Sequence, residues 1–317
     1  MRSLVIGAGG FVGGHLVEHL CQKGDEVVAT TIASMPVRAP VEVLSLDITD
    51  AVSVAEVMRK VQPDVVYHLA GIAFVPEAES NFERALTVNV SGTSHVARYC
   101  HLNSKASLLF ISSAEVYGQV TPSELPVTEH NALRPANNYS LSKRMAELVV
   151  ERYGRQGLNY AIARPFNHIG PGQDPRFVAS NFALQLARVA RGLTPPVLEV
   201  GNLEARRDFS DVRDIVRAYR MIATGHTGVF NLGSGRSCSI QEVLDTLIDI
   251  SGCDVEIRQD PNRMRGPEVP ELFGSIDRAA DVCGWKPEIP LRRSLEDTYT
   301  FWYDSLGAES LAKQAKG

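Results

Sequence analysis

The sequence predicts an α/β fold, a doubly wound parallel sheet with a smaller mixed lobe attached. Three observations carry that expectation. Short β-branched runs alternate with helix-spaced apolar patterns through the first half of the chain. A glycine-rich turn separates the first run from the first helical pattern. After Arg164-Pro165 the rhythm breaks, and loops rich in Pro and Gly begin. With 317 residues, 44% of them apolar, the chain can bury roughly 75% of its unfolded surface and needs no disulfide or metal staple.

Leu4-Val5-Ile6, Val27-Val28-Ala29, Val43-Leu44, Val65-Val66-Tyr67 and Leu108-Leu109-Phe110-Ile111 read as buried parallel strands. Segments near 11–23, 50–61, 81–102 and 140–156 carry apolar residues at three-to-four spacing, as amphipathic helices do. Strand–helix alternation with short connections implies right-handed βαβ units. Tyr160-Ala161-Ile162-Ala163 adds a strand. Helices are then expected near 178–191, 211–224, 239–251 and 292–305, between loops such as Gly170-Pro171-Gly172 and Pro195-Pro196, with some segments threading back to the sheet.

Net charge is −5, from Lys+Arg 32 and Asp+Glu 37. That sign disfavours a nucleic-acid or anionic-membrane binder and leaves room for a local basic patch facing a small phosphate ligand. Five widely spaced cysteines without a CxxC pair read as reduced thiols. The apolar run at the N-terminus is interrupted by glycines at once, far short of the ~20 residues a membrane span needs. A cytoplasmic protein with no nucleic-acid and no membrane partner is expected.

Gly7-Ala8-Gly9-Gly10-Phe11-Val12-Gly13 follows the first strand and opens the first helix. Gly7 suits the tight turn, Gly10 lets backbone approach a pyrophosphate, and Gly13 lets helix pack closely on strand. The helix start, with Phe11 and Val12, then presents N–H groups and a positive dipole end to phosphates. A purely structural turn is the plain alternative; the position after a first strand favours a Rossmann dinucleotide site. The acidic residue that holds the ribose of NAD is missing from Val28-Ala29-Thr30-Thr31, and Arg38 follows. Thr31 and Arg38 are therefore expected at the adenosine ribose, with NADP slightly favoured over NAD. Asp47-Ile48 reads as an adenine contact, or else Asp47 is the N-cap of the next helix.

His15-Leu16-Val17-Glu18-His19 matches an H-x-x-E-H zinc pattern. The helix after a glycine loop has one face on the sheet and one in solvent, and no third ligand is evident. No metal site is expected, and the two residues read as surface histidines.

Tyr139-Ser140-Leu141-Ser142-Lys143 opens a helix, which places Tyr139 and Lys143 one turn apart on one face. An ammonium there favours phenolate and is expected to bring the tyrosine pKa down from its usual value near 10. Such a tyrosine can protonate a carbonyl oxygen while a nicotinamide delivers hydride to the carbon. The fifth strand ends in Ile111-Ser112-Ser113-Ala114-Glu115, at the carboxyl edge where ligands of such sheets bind. Ser113, with Ser112 as fallback, is the expected clamp on the keto oxygen; otherwise these serines merely cap the strand end.

Together these residues make the chain similar to the extended short-chain dehydrogenase/reductase family. The resemblance spans nearly the whole chain. It includes the glycine loop, His68-Leu69-Ala70-Gly71, Asn89-Val90-Ser91-Gly92-Thr93, the Ser113/Tyr139/Lys143 triad, Arg164-Pro165-Phe166-Asn167 and Arg207-Asp208-Phe209. It implies a dinucleotide-binding domain of residues 1–165 plus about 209–235. About 166–208 and 236–317 would bind a nucleotide sugar. On the cofactor side it implies Leu69, Ala70, Gly71 and Pro165 beside the residues above. On the sugar side it implies Asn167, Arg207 and Arg265 at the diphosphate, with Phe74, Val75, Ser113, Glu115 and Val178 nearer the sugar.

Gly201-Asn202-Leu203-Glu204-Ala205-Arg206-Arg207-Asp208 resembles the run of GDP-mannose 4,6-dehydratases and points to a GDP-sugar. Phe74-Val75-Pro76-Glu77-Ala78 and the stretch from Arg164 to Gln173 look like GDP-4-dehydro-6-deoxy-D-mannose reductases, which form GDP-D-rhamnose. A dehydratase needs an extra acid/base in the strand-5 loop, a role open to Glu115. A reductase needs only hydride, the tyrosine proton and the serine clamp. The resemblance thus implies reduction of a GDP-linked 4-keto-6-deoxy sugar, with a dehydratase or epimerase of the same family as alternative. A non-catalytic nucleotide sensor is disfavoured by the intact triad. A homodimer through helices near 81–102 and 140–156 is likewise implied.

Overall fold

The computed structural model describes residues 1–32, 35–102, 106–263 and 269–314. Its first half runs β1 (Arg2–Ile6), α1 (Phe11–Gln22), β2 (Glu26–Thr31), β3 (Glu42–Ser45), α2 (Ala51–Val61) and β4 (Val65–His68). Then come α3 (Val75–Ser80), α4 (Phe82–Ala85), a π-helical turn (Leu86–Gly92) and α5 (Thr93–Leu102). They lead to β5 (Ser107–Ile111), a 3₁₀ turn at Ala114–Tyr117, α6 (Asn138–Gly154) and β6 (Tyr160–Pro165). Beyond lie β7 (Asn167–Ile169), α7 (Val178–Ala190), β8 (Val197–Val200), β9 (Arg206–Arg207), β10 (Phe209–Asp211), α8 (Val212–Ala223) and β11 (Gly228–Leu232). The chain ends with β12 (Cys238–Ser239), α9 (Ile240–Ser251), β13 (Glu256–Gln259), β14 (Glu271–Leu272), α10 (Asp277–Cys283) and α11 (Leu291–Gln314).

Among the described residues, seven parallel strands form the main sheet in the order β11-β6-β5-β4-β1-β2-β3. Every strand read from the sequence is present. The inner strands are apolar on both faces because helices cover both. One layer joins Leu16, Val17 and Leu20 of α1 to Val212, Ile215 and Tyr219 of α8 and to Trp285. The other joins Val54 and Met58 of α2, Val96 of α5 and Ala146 of α6. Each fully buried Leu, Ile or Val in these layers contributes roughly 1.5–3 kcal/mol of transfer free energy. β11 threads back beside β6, as anticipated for some later segment. Its short Gly228-Val229-Phe230-Asn231-Leu232 run had no strand signal strong enough to locate it.

The strand order reverses between β1 and β4, so their carboxyl ends splay and leave a crevice at that switch point. The expected single helix over 81–102 is in fact α4, the π turn and α5. At the π turn the Asn89 side chain clasps Ile72: its Oδ1 accepts the Ile72 N–H at 2.8 Å and its Nδ2 donates to the Ile72 carbonyl at 3.1 Å. Thr93 Oγ1 donates to the Asn89 carbonyl at 2.6 Å. The widened turn thus holds the loop after β4 against the crevice.

The second lobe packs α7, α9 and α11 around Leu198, Phe209, Val243, Leu247 and Leu295. Gly284-Trp285-Lys286-Pro287 ties this lobe's end to α8, since the Trp285 indole donates to the Asp214 carbonyl at 2.9 Å. The Asp214 carboxylate also accepts the N–H groups of Glu288 and Ile289. No helix among the described residues is long and apolar enough to cross a membrane.

Candidate active site

One cleft of about 1400 Å³ opens at the switch point and runs to the second lobe. Its floor begins at the glycine loop. Gly7 has φ +94°, and a Cβ there would fall 2.7 Å from the Ala70 nitrogen on the neighbouring strand end. A Cβ at Gly13 would fall 2.2 Å from the Gly7 carbonyl oxygen, closer than atoms can pack. Gly10 differs: its Cβ would meet the fold only at 3.4 Å, an ordinary contact, so that face is left for a ligand. Gly10 is also the N-cap of α1, with no side chain bonded to the helix start. Backbone N–H groups and the positive helix end therefore face the cleft, a cradle suited to a dinucleotide pyrophosphate.

Around this cradle the cleft brings together Gly7, Gly10, Phe11, Val12, Gly13, Thr31, Asp47, Ile48, Leu69, Ala70, Gly71, Tyr139, Lys143 and Pro165. Asp47 is not the helix cap weighed above. Asp50 caps α2, accepting the Val52 N–H, while Asp47 accepts the Thr49 N–H and hydroxyl, which hold its carboxyl below the usual range. Gly92 explains how Ile48 comes so near, because a Cβ there would overlap the Ile48 side chain at 2.7 Å.

Arg38 is a correction. It does not line the cleft; its Nη2 donates to the Pro171 carbonyl at 2.8 Å and its Nη1 lies 3.4 Å from His15 Nδ1. His15 is a second correction, being buried rather than on the surface. Its Nε2 donates to the same Pro171 carbonyl at 3.0 Å, its ring packs edge-on against Phe11, and burial with the Arg38 charge takes its pKa down to about 4. At His15 the face of α1 assigned to solvent is covered by the loop after β7, a long-range contact that helical spacing cannot show. Among the described residues no group of three or more His, Cys, Asp or Glu is placed to hold a metal ion.

Ser113 follows β5 and caps the 3₁₀ turn, its Oγ accepting the Glu115 N–H at 3.2 Å. The Tyr139 phenol lines the same cleft close by. The capping reading of this serine holds, and the same residue lines the cleft. The Ser112 hydroxyl, equally buried, has no hydrogen-bond partner. Tyr139 stands in the first turn of α6, where the Asn137 side chain caps the helix by accepting the Ser140 N–H.

The expected pKa depression of the phenol is not what the geometry gives. Lys143 Nζ turns into the sheet and donates to the Ile111 carbonyl at 2.9 Å, beneath the Phe110 ring. Burial pushes the Tyr139 phenol up to about 12; the nearby Ser113 hydroxyl opposes this, and the Glu115 carboxylate adds to it. Burial also draws Lys143 down to about 8, against the pull of Glu147. One-turn spacing told which residues are neighbours but not how dry their surroundings are. The phenol therefore keeps its proton at neutral pH, as a donor must.

On the far wall the cleft gathers Phe74, Val75, Ser113, Glu115, Asn167, Val178 and Arg207. Arg207 is oriented by donating Nη1 to the carbonyls of Arg206 and Val269, at 2.9 and 2.8 Å. Arg265 lies outside the described residues. Sequence reading missed Arg176, Phe177, Asn181, Glu199 and Arg263, which also line this wall. The Arg176 guanidinium covers the Phe74 ring at 4.7 Å, and Phe177 meets that ring edge-on at 5.8 Å. Arg263 bridges Asn181 Oδ1 at 3.0 Å and Glu199 at 3.3 Å. Its one sequence signal was the arginine pair around Met264.

Comparison with known proteins places this cleft in a family. The family described as GDP-mannose 4,6 dehydratase matches residues 4–298. The GDP-6-deoxy-D-mannose reductase of Pseudomonas aeruginosa is 39% identical over 95% of this chain and 97% of its own length. A solved structure of RMD from Pseudomonas aeruginosa complexed with NADPH superposes with TM-score 0.85 at 35% identity, over 96% of this chain and 100% of that one. A UDP-glucose 4-epimerase from Thermotoga maritima, solved with UDP-glucose, superposes with TM-score 0.89 at 26% identity, over 96% and 100% of the two chains. From a match of this extent over the glycine loop, the triad and the sugar-side wall, it follows that the chain belongs to the GDP-mannose 4,6-dehydratase family of short-chain dehydrogenases/reductases.

Proposed function

We propose that this protein reduces the C4 keto group of GDP-4-dehydro-6-deoxy-D-mannose with NADPH or NADH, giving GDP-D-rhamnose. The observation that carries the reading is the convergence of Ser113, Tyr139 and Lys143 on one cleft, with Lys143 one turn beyond Tyr139 on α6. The reductase name of the 39% identical relative supports it. Residues 1–165 with about 209–235 would hold the dinucleotide, and about 166–208 with 236–317 the GDP-sugar.

When bound, the reduced nicotinamide supplies hydride to the keto carbon. Ser113 Oγ holds the keto oxygen, and Tyr139 gives its proton to that oxygen as negative charge builds on it. Transfer is downhill even from a phenol near 12, because an alkoxide is a far stronger base than a phenolate. The Lys143 ammonium offsets the charge left on Tyr139. Arg207 and Asn167 hold the diphosphate, where a planar guanidinium meets two phosphate oxygens at once. Phe74 and Phe177 keep that wall dry. A homodimer would use α5 and α6, where Leu141, Met145 and Leu148 form an exposed apolar stripe at i, i+4 and i+7. A cytoplasmic location accords with five free cysteines.

A second reading, GDP-mannose 4,6-dehydratase or a related GDP-sugar epimerase, is favoured by the Glu115 carboxylate, close enough to act on Tyr139. One pair of incubations separates them. With the keto sugar and NADPH or NADH, the nicotinamide absorbance should fall and GDP-D-rhamnose should accumulate. Conversion of GDP-mannose without added reductant would instead establish the dehydratase, and inertness in both would remove the family's chemistry from this chain.

A further inference from the structure

Behind the cleft, and outside its lining, lies a buried chain of polar side chains that the proposed mechanism leaves unused. Glu147 follows Lys143 by one helical turn and is fully buried. Its two oxygens accept Arg164 Nε and Nη2, each at 2.9 Å, and one of them also accepts Arg144 Nη1 at 2.9 Å. Arg164, from β6, passes Nη1 to the Tyr117 hydroxyl at 3.1 Å and lies over that ring. The Tyr117 hydroxyl donates to Asn231 Oδ1 of β11 at 2.6 Å. Tyr117 closes the same 3₁₀ turn that Ser113 caps.

A buried ion pair contributes little net stability over an apolar pair of the same size. This one has a position of consequence: it ties the helix bearing Tyr139 and Lys143 to the turn bearing Ser113 and Glu115. We infer that Glu147 is a positioning residue, which through Arg164 and Tyr117 sets the two halves of the triad and supplies a counter-charge one helical turn from the Lys143 amine. The other groups around Lys143 do not supply that charge. His68, from β4, is held neutral by burial, with a pKa of about 3. Tyr139 is a neutral phenol, Glu115 lies on the Tyr139 side, and Arg164 engages Glu147. The two cations on Glu147, Arg164 and Arg144, share its field with Lys143.

The role of Lys143 rests on the reductase reading, but its titration does not, so the test reads both. Lysine labelled at Cε is titrated by NMR in the whole protein, beside the pH profile of kcat. Glu147→Gln should lower the Lys143 pKa by about one unit. The alkaline limb of kcat should move down with it, and kcat should fall roughly ten- to a hundredfold at nearly constant KM. Arg144→Met removes a competing cation and should move the same pKa and limb upward. Glu151→Gln, on the outer side of Arg144, should move neither. Opposite shifts are what a merely structural Glu147 would not produce. If Glu147→Gln fails to fold, Arg144→Met alone decides. An unmoved Lys143 pKa in the folded variants overturns the inference; moved pKa values without keto-sugar turnover by the parent protein would instead overturn the reductase reading.

Discussion

Along the β1–β4 edge the cleft is walled mainly by backbone: Gly7, Gly10, Gly13 and Gly71 bring main-chain atoms to the surface within short stretches of sequence. Across from it the wall is made of long side chains, Phe74, Arg176, Phe177, Arg207 and Arg263, drawn from well-separated segments. The contrast follows from what each wall would grip. A pyrophosphate common to many ligands can be held by N–H groups and a helix end, which any sequence with the right glycines supplies. Discriminating one sugar nucleotide needs side chains of particular shape and charge, and these can be assembled only by folding.

The proposed reaction centre lies where the walls meet, and Tyr139→Phe there should have the largest effect. Loss of the proton donor should lower kcat by about 10²- to 10⁴-fold, while cofactor affinity, read by fluorescence titration, stays within a few-fold. A variant with ordinary kcat would move the chemistry elsewhere in the cleft.

The backbone wall is sharpened by two glycines. Gly13→Ala should cost about 1–3 kcal/mol of stability through overpacking against Gly7, visible as a lowered Tm. Gly10→Ala should leave Tm nearly unchanged and weaken NADPH binding instead. If both variants behave alike, the two glycines do not have separate jobs. On the side-chain wall, Arg207→Ala should raise KM for the GDP-sugar about tenfold, a change of ~1.4 kcal/mol, with kcat and cofactor affinity little changed. A fall in kcat alone would instead place Arg207 at the reacting end. The smallest change is expected at Arg38, which is held by Pro171. Arg38→Ala should alter the ratio of NADPH to NADH affinity by less than about threefold. A tenfold loss of NADPH would mean that the guanidinium leaves Pro171 for the cofactor.

These walls also differ in how far they could be read in advance. The glycine loop, Asp47-Ile48, Leu69-Ala70-Gly71 and the Ser113/Tyr139/Lys143 set were legible because each is a local pattern whose residues are fixed by one strand end or one helical turn. Arg176 over Phe74 was not, since nothing in either segment reveals that they meet. His15 and Arg38 were misplaced for the same reason: Pro171, which both bond, is more than a hundred residues away along the chain. The π turn at Asn89 escaped because a helical pattern does not register one extra residue per turn.

Periodicity, glycine spacing and strand-end chemistry were enough to establish the parallel sheet, the location of the crevice and the convergence of Ser113, Tyr139 and Lys143 on it, since all of these follow from contacts between near neighbours. Burial belongs to the assembled fold. Only there did the phenol of Tyr139 lose its water and rise to about 12, the Lys143 amine fall to about 8, and Glu147 acquire Arg164 as counter-charge. Solvation depends on every element that closes over a group, and no single segment of the chain carries that information.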